Sequence, residues 1–288
     1  MSERIAFIGA GRMGGRMAKR LLQAGFDVAV YDPSPDAAAP FGERAKASPA
    51  EAAAGAAFIL FSVPNPAILR EAVAGALDGA SQGALIIDLS TGDPESAREL
   101  AAAASERGID FLDAPVSRGI AGAESGTLLI MVGGAPEALE RARPVLDVLA
   151  SDVVHAGDVG AGQAVKLCNQ MLTAIVATGL GEVLVAGAQA GVELETLTQV
   201  LAGGSAGNWV LDTHLPRTLL TAERETSFSL ALMRKDVGLF VDAAGDDIPL
   251  SRLVRERFDT AHEAGLDDAD YTSVAELYER PAGVRLGC

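Results

Sequence analysis

Three groups of residues have types and spacings that could do chemistry. The first is Gly9-Ala10-Gly11-Arg12-Met13-Gly14, a G-x-G-x-x-G directly after the apolar run Ile5-Ala6-Phe7-Ile8 and at the start of a helical stretch. The first glycine permits a tight turn and the second lets the backbone approach a pyrophosphate. The third allows close helix–strand packing, and the helix amino terminus faces the anion. A glycine turn that only packs is the alternative, but strand, turn and helix in the required order favour a dinucleotide site. Asp32 follows eighteen residues after Gly14, at the end of the second strand. A carboxylate there accepts from the ribose hydroxyls of NAD and repels a 2′-phosphate. Pro33-Ser34-Pro35 supplies no arginine for that phosphate. NAD is expected over NADP.

The second group is Asp113-Ala114-Pro115-Val116-Ser117-Arg118-Gly119, with Gly126-Thr127-Leu128 beyond it. A Ser and Gly loop at a strand's carboxyl end suits a small anion held by backbone N–H groups; it equally suits an ordinary turn. The third group is Lys166, Asn169, Gln170 and Thr173, at i, i+3, i+4 and i+7 on an apolar helix. An ammonium buried with no carboxylate adjacent in sequence is costly and its pKa falls, and a lysine tuned toward neutrality serves general acid–base catalysis. A lysine reaching solvent at the helix start is the other reading; the three aligned polar partners favour the functional one. Cys168 lies off this stripe and is assigned to the core.

The elements that must position these groups are legible too. Val28-Ala29-Val30-Tyr31, Phe58-Ile59-Leu60-Phe61, Leu85-Ile86-Ile87-Asp88, Ile109 to Leu112 and Leu128-Leu129-Ile130-Met131 alternate with alanine-rich helical stretches. Apolar strands separated by helices predict a doubly wound, mostly parallel α/β sheet covered on both faces, the Rossmann arrangement. Beyond Gly157 to Gly162 no strand is expected. Ala164 to Ala190 forms one long helix, with further helices near Glu193–Leu201, Ser229–Ala244 and Leu250–Ala264. Two domains are expected: 1–160 for the cofactor, and an all-α domain over 161–288 for substrate and dimerisation. A long helix apolar on nearly every face calls for a homodimer or higher homo-oligomer.

Composition excludes several classes. The chain has 288 residues, 49% hydrophobic, and a formal net charge of −16. An acidic surface makes nucleic acid and anionic membranes poor partners. Cys168 and Cys288 cannot build a disulfide framework, and His155, His214 and His262 show no ligand spacing, so no metal is expected. The first apolar run begins too early for a secretory leader, and Cys288 is wrongly placed for prenylation. Lys166, Asn169 and Gln170 interrupt the best candidate for a membrane span. A cytoplasmic location is expected.

Taken in order, these motifs resemble the β-hydroxyacid dehydrogenase family, which includes 3-hydroxyisobutyrate dehydrogenase, tartronate semialdehyde reductase and sulfolactaldehyde reductase. The resemblance covers essentially the whole chain: Gly9 to Met17, Val63-Pro64-Asn65, Asp88-Leu89-Ser90-Thr91, Asp113 to Leu128, Gly160 to Lys166, Phe228 and Lys235-Asp236. It implies that Lys166 is the acid/base. Ser117 and Gly119 then hold the substrate carboxylate, with Asn169 and Gln170 nearby. Val63, Pro64 and Thr91 touch the cofactor, and Lys235 reaches it from the helical domain. Phe228 and Trp209 line the pocket near the nicotinamide, although Trp209 also suits a core position. It implies reversible hydride transfer between NAD(H) and a small 3-hydroxy acid or semialdehyde.

Two positions depart from the family pattern. Ser117-Arg118-Gly119 replaces the usual Ser-Gly-Gly, and Lys166-x-x-Asn169-Gln170 replaces Lys-x-x-Asn-Asn. Glutamine is similar to tartronate semialdehyde reductases. Arginine resembles sulfolactaldehyde reductases, and a guanidinium suits a sulfonate or a second carboxylate; a solvent-facing Arg118 is the other reading. Imine reductases share the architecture but carry aspartate or tyrosine where Lys166 stands. A non-catalytic dinucleotide-binding module is the third alternative.

Overall fold

The computed structural model describes residues 3–287; Cys288, which carries no expected role, lies outside them. Eight strands build the sheet of the amino-terminal part: β1 (Arg4–Ile8), β2 (Asp27–Tyr31), β3 (Phe58–Phe61), β4 (Leu85–Asp88), β5 (Asp110–Asp113), β6 (Val116–Ser117), β7 (Leu128–Gly133) and β8 (Ala150–Gly157). Their order is β2-β1-β3-β4-β5-β7-β6, with β8 on β7. The first five are parallel, β7 runs antiparallel to β5 and β6, and β8 is parallel to β7. The chain leaves β1 in both directions, to β2 on one side and β3 on the other. The crevice at that switch point is where doubly wound sheets bind ligands.

The strands are apolar throughout because both faces are covered. Phe7, Val30, Leu60, Ile87 and Ile130 pack with Met17, Leu21 and Leu146 on one face. Ala6, Ile8, Ile59, Phe61 and Ile86 pack with Leu69, Val73 and Leu100 on the other. Helix starts are written locally. Asn65 and Asp93 accept from the N–H groups of Ile68 and Ser96, each followed by proline at the first helical position. Such caps contribute about 1 kcal/mol each. β6 and β8 are additions to the expected strands. Half of β8 is exposed, so its sequence lacks the apolar run that marks the others.

The chain divides into two compact units between Lys166 and Leu167, inside the helix Ala161–Gln189; the expected boundary at residue 160 falls just ahead of that helix. This long helix meets the length and hydropathy of a membrane span, and 44% of its most apolar window is buried inside the protein. Three polar residues therefore do not keep it below that threshold, contrary to the expectation from sequence.

The second unit is helical. Leu230–Ala244 and Pro249–Glu263 pack with the long helix through Met171, Leu184, Met233, Val237 and Phe258, while Leu194–Gly203 adds the half-buried Leu197 and Leu201. A polar hub sits within this core. Asp270 is fully buried and accepts from His214 Nε2 at 3.0 Å, from the N–H groups of Ser227, Phe228 and Thr272, and from the Thr272 hydroxyl. The His214 ring stacks on Tyr271, centroids 4.8 Å apart.

Burial pushes the Asp270 carboxyl up, but His214 and the N–H groups of Phe228 and Thr272 outweigh it and hold it below its ordinary value. Asp270 then stabilises the fold fully above the unfolded carboxylate value of about 4, and loses that contribution as pH falls through its folded value. Asp270→Ala strands these donors and should cost about 3 kcal/mol at pH 7. In denaturant titrations, the stability gap between wild type and Asp270→Asn should narrow as pH drops below about 4; a gap independent of pH would contradict the account.

Candidate functional site

The glycine loop leaves β1 and enters the helix Gly14–Gln23. Gly9 has φ +95°, and a Cβ there would lie 2.2 Å from the Ser62 carbonyl oxygen. A Cβ on Gly14 would lie 1.9 Å from the Gly9 oxygen. Gly11 differs, since a Cβ there would meet no atom within 4 Å. Two glycines are thus demanded by the fold, while the third leaves open space that a ligand can approach. No side chain caps the helix, and the N–H groups of Gly15 and Arg16 donate to the carbonyls of Gly11 and Met13; the positive end of the helix dipole still faces the loop. A cleft of about 670 Å³ runs past Gly11, Arg12, Gly15 and Ser34. The residues therefore fit a dinucleotide. Met13 is half-buried against the core at this turn.

Asp32 closes one side of the loop. Its oxygens accept one N–H each, from Ala10 at 2.7 Å and Ser34 at 2.8 Å. A carboxylate has about four acceptor positions, so capacity for two hydroxyl donors remains. Val63 packs against Gly9 from the end of β3, and its N–H donates to Ser90 Oγ at 2.9 Å. Pro64 beside it is exposed, and Thr91 is half-buried.

The start of the long helix is docked on the carboxyl edge of the sheet. Asp113, fully buried, accepts from the Gly160 N–H at 2.7 Å and the Gln163 N–H at 2.9 Å. Burial raises the Asp113 pKa, against the lowering effect of these donors. Gly162 makes the docking possible, because a Cβ there would lie 2.5 Å from the Met131 oxygen. Lys166 follows in the next turn, 6% exposed. The polar stripe divides. Lys166 and Gln170 turn inward, while Asn169 is exposed and donates to Gln170 Oε1 at 3.3 Å. Thr173 directs its hydroxyl back to the Asn169 carbonyl at 2.8 Å. Cys168 is exposed rather than in the core, because it lies between the buried face and Asn169.

In the second unit Gln170 Nε2 donates to Asp236 Oδ2 at 2.7 Å, and Lys235 Nζ lies 2.9 Å from Asp236 Oδ1. Asp236 is almost fully buried; the sequence reading gave it no role, and the Lys-Asp pair was its signal. Phe228 is half-buried, edge-on to Tyr271. Trp209 is 58% exposed, which removes the core reading.

Ser117 lies in β6, paired with Leu129, and Gly119 begins the short helix Gly119–Ser125. Between them Arg118 adopts φ +78°, a region that favours glycine. Its Nη1 donates to the Thr127 carbonyl, Ser151 Oγ and Asp152 Oδ2, the last at 2.7 Å. Arg118 and Ser151 hold the Asp152 carboxyl below its ordinary value. The guanidinium clamps the edge of its own sheet through Thr127 nearby and through Ser151 and Asp152, more than thirty residues away. Arg118→Gly should be more stable than Arg118→Ala by about 1 kcal/mol, since both lose the clamp and only alanine bears the left-handed backbone cost. Neither should change KM for the substrate by more than about threefold, well under 1 kcal/mol. A large KM rise in both variants would give Arg118 a substrate role instead.

Two family profiles cover the chain in succession. The profile described as the NAD binding domain of 6-phosphogluconate dehydrogenase matches residues 4–157. That described as NAD-binding of NADP-dependent 3-hydroxyisobutyrate dehydrogenase matches residues 160–278. The chain is 33% identical to the 2-(hydroxymethyl)glutarate dehydrogenase of Eubacterium barkeri, covering 98% of this chain and 97% of the relative. It is 36% identical to the NAD-dependent L-serine dehydrogenase of Pseudomonas aeruginosa, covering 98% and 99%. Among solved structures, Mycobacterium tuberculosis 3-hydroxyisobutyrate dehydrogenase with L-serine superposes with a TM-score of 0.90 at 35% identity, covering 96% and 99%.

Proposed function

Because the chain belongs to the β-hydroxyacid dehydrogenase family, oxidoreductases acting on CH–OH groups, we propose that it oxidises a small 2-substituted 3-hydroxypropionate reversibly to its semialdehyde, with NAD as cofactor. The compounds named in these three relatives share a carboxylate whose α-carbon carries CH2OH, and differ in the third substituent. The observation that carries the reading is Lys166, buried one turn beyond a helix start that is pinned to the same carboxyl edge of the sheet as the open glycine loop.

NAD(H), when bound, supplies or accepts the hydride. Gly9 to Gly14, with Ala10, Arg12 and Met13 between, receive its pyrophosphate, and Asp32 its ribose hydroxyls. Val63, Pro64 and Thr91 line its remaining length. In oxidation Lys166 Nζ takes the hydroxyl proton of the substrate; in reduction it returns that proton to the carbonyl oxygen. Ser117 and Gly119 orient the carboxylate, so the reacting carbon is placed before chemistry begins. Gln170, its amide fixed by Asp236, and Asn169 follow one turn beyond Lys166 on the same helix and face the substituent.

Val165, Leu172 and Val183 share one exposed face of the long helix. That stripe supports a homodimer formed by a second copy, working in the cytoplasm. Sedimentation equilibrium at micromolar concentration should give twice 29.5 kDa; monomer alone would remove the dimer.

Lys166→Ala should lower kcat by about 10²–10⁴ while NADH still binds. In the same assay NADPH should give a lower kcat/KM than NADH, because Asp32 repels the extra phosphate. A fully active Lys166→Ala enzyme would overturn the proposed reaction. Preference for NADPH would overturn only the role of Asp32.

A further inference from the structure

Gln163 is 1% exposed, and its side-chain amide is used at both ends. Oε1 accepts from the Gly92 N–H at 2.9 Å, while Nε2 donates to the Ser90 carbonyl at 2.9 Å and to Asp88 Oδ2 at 3.3 Å. The other Asp88 oxygen accepts from the Ser90 N–H at 2.9 Å. Ser90 Oγ in turn holds the Val63 N–H, and Val63 packs on Gly9 of the glycine loop. One side chain in the first turn of the long helix therefore grips the segment Asp88–Gly92, which contains Thr91. A chain of contacts continues from it to the dinucleotide loop.

Gln163, Lys166 and Gln170 stand at i, i+3 and i+7, one face of that helix. The backbone of the same turn is fixed by Asp113. Asp113 sets where the helix begins, but a cap alone does not set the rotation of the helix about its axis. The Gln163 amide supplies that second constraint, seventy residues away in sequence. Among the side chains of its size only an amide can accept from Gly92 and donate to Ser90 and Asp88 together.

We propose that Gln163 is a positioning residue, which locks the Lys166 face of the helix against the segment Asp88–Gly92 and so sets Lys166 relative to the bound nicotinamide. The inference rests on the acid/base role proposed for Lys166. It assigns Gln163 no contact with substrate. Its effect passes through the placement of Lys166, and a misplacement of about 1 Å can reduce a rate on the order of 10²-fold.

Two variants separate positioning from mere stability. Gln163→Met fills the space but neither donates nor accepts. At saturating substrate and cofactor its kcat should fall about tenfold or more, with KM nearly unchanged. Gln163→Glu keeps the shape and lacks the donor when ionised beside Asp88. Protonation restores an O–H donor toward Ser90 or Asp88, so the ratio of its kcat to that of wild type should rise as pH falls. Taking the ratio at each pH removes the titration of the wild-type enzyme.

A folded Gln163→Met enzyme with kcat within about twofold of wild type, or a Gln163→Glu ratio flat across pH, would overturn the proposal. Should the methionine variant fail to fold, the glutamate ratio decides alone. Lys166→Ala, assayed alongside, keeps the two readings apart. If it is active, the proposed function falls; if it is inactive while Gln163→Met behaves as wild type, only the positioning role falls.

Discussion

The site depends on a buried carboxylate placed at the start of a helix. Asp113 ends β5 and takes the N–H groups of Gly160 and Gln163, the donors that the first turn of the long helix cannot satisfy internally. Hydrogen bonds to a charged acceptor contribute about 1.5–3 kcal/mol each, and the helix dipole favours a negative group there. Burial opposes ionisation, which is why the Asp113 pKa is raised despite these donors. Gly162 completes the constraint by leaving no Cβ to collide with the Met131 carbonyl. A lysine one turn further on then has little freedom in where its stem begins.

Glycines serve opposite ends in the same unit. Gly9, Gly14 and Gly162 are crowded, and any side chain would strike backbone. Gly11 is open, and the space beside it is where the backbone can meet a pyrophosphate. Arg118 holds a left-handed position without being glycine, and its side chain is put to structural use. The guanidinium reaches back to Thr127, Ser151 and Asp152, so the strained turn is tied to the edge of its own sheet.

Much of this was legible because the determinants are local. The glycine fingerprint, the next strand and Asp32 lie within one β-α-β unit, and the long helix announces itself over twenty-nine residues without proline. The mostly parallel, doubly covered sheet is implied by apolar strands separated by helices. The features that escaped the sequence depend on pairs far apart. Nothing near Arg118 points to Asp152, and nothing near Gln163 points to Asp88 or Gly92. Cys168 was misplaced for a different reason: helical periodicity gives the angle between residues but not which arc of the helix is covered. β8 carries polar residues because half of it faces solvent, so it lacked the pattern by which the buried strands were found.

The central claim is that Lys166 exchanges a proton with the hydroxyl of a small 3-hydroxy acid. A crystal structure of the enzyme with NAD and L-serine or 3-hydroxyisobutyrate tests it most directly. The account predicts Lys166 Nζ within hydrogen-bond distance of the substrate hydroxyl, with the carboxylate on Ser117 and Gly119. A substrate hydroxyl held by another side chain, with Lys166 out of reach, would contradict it.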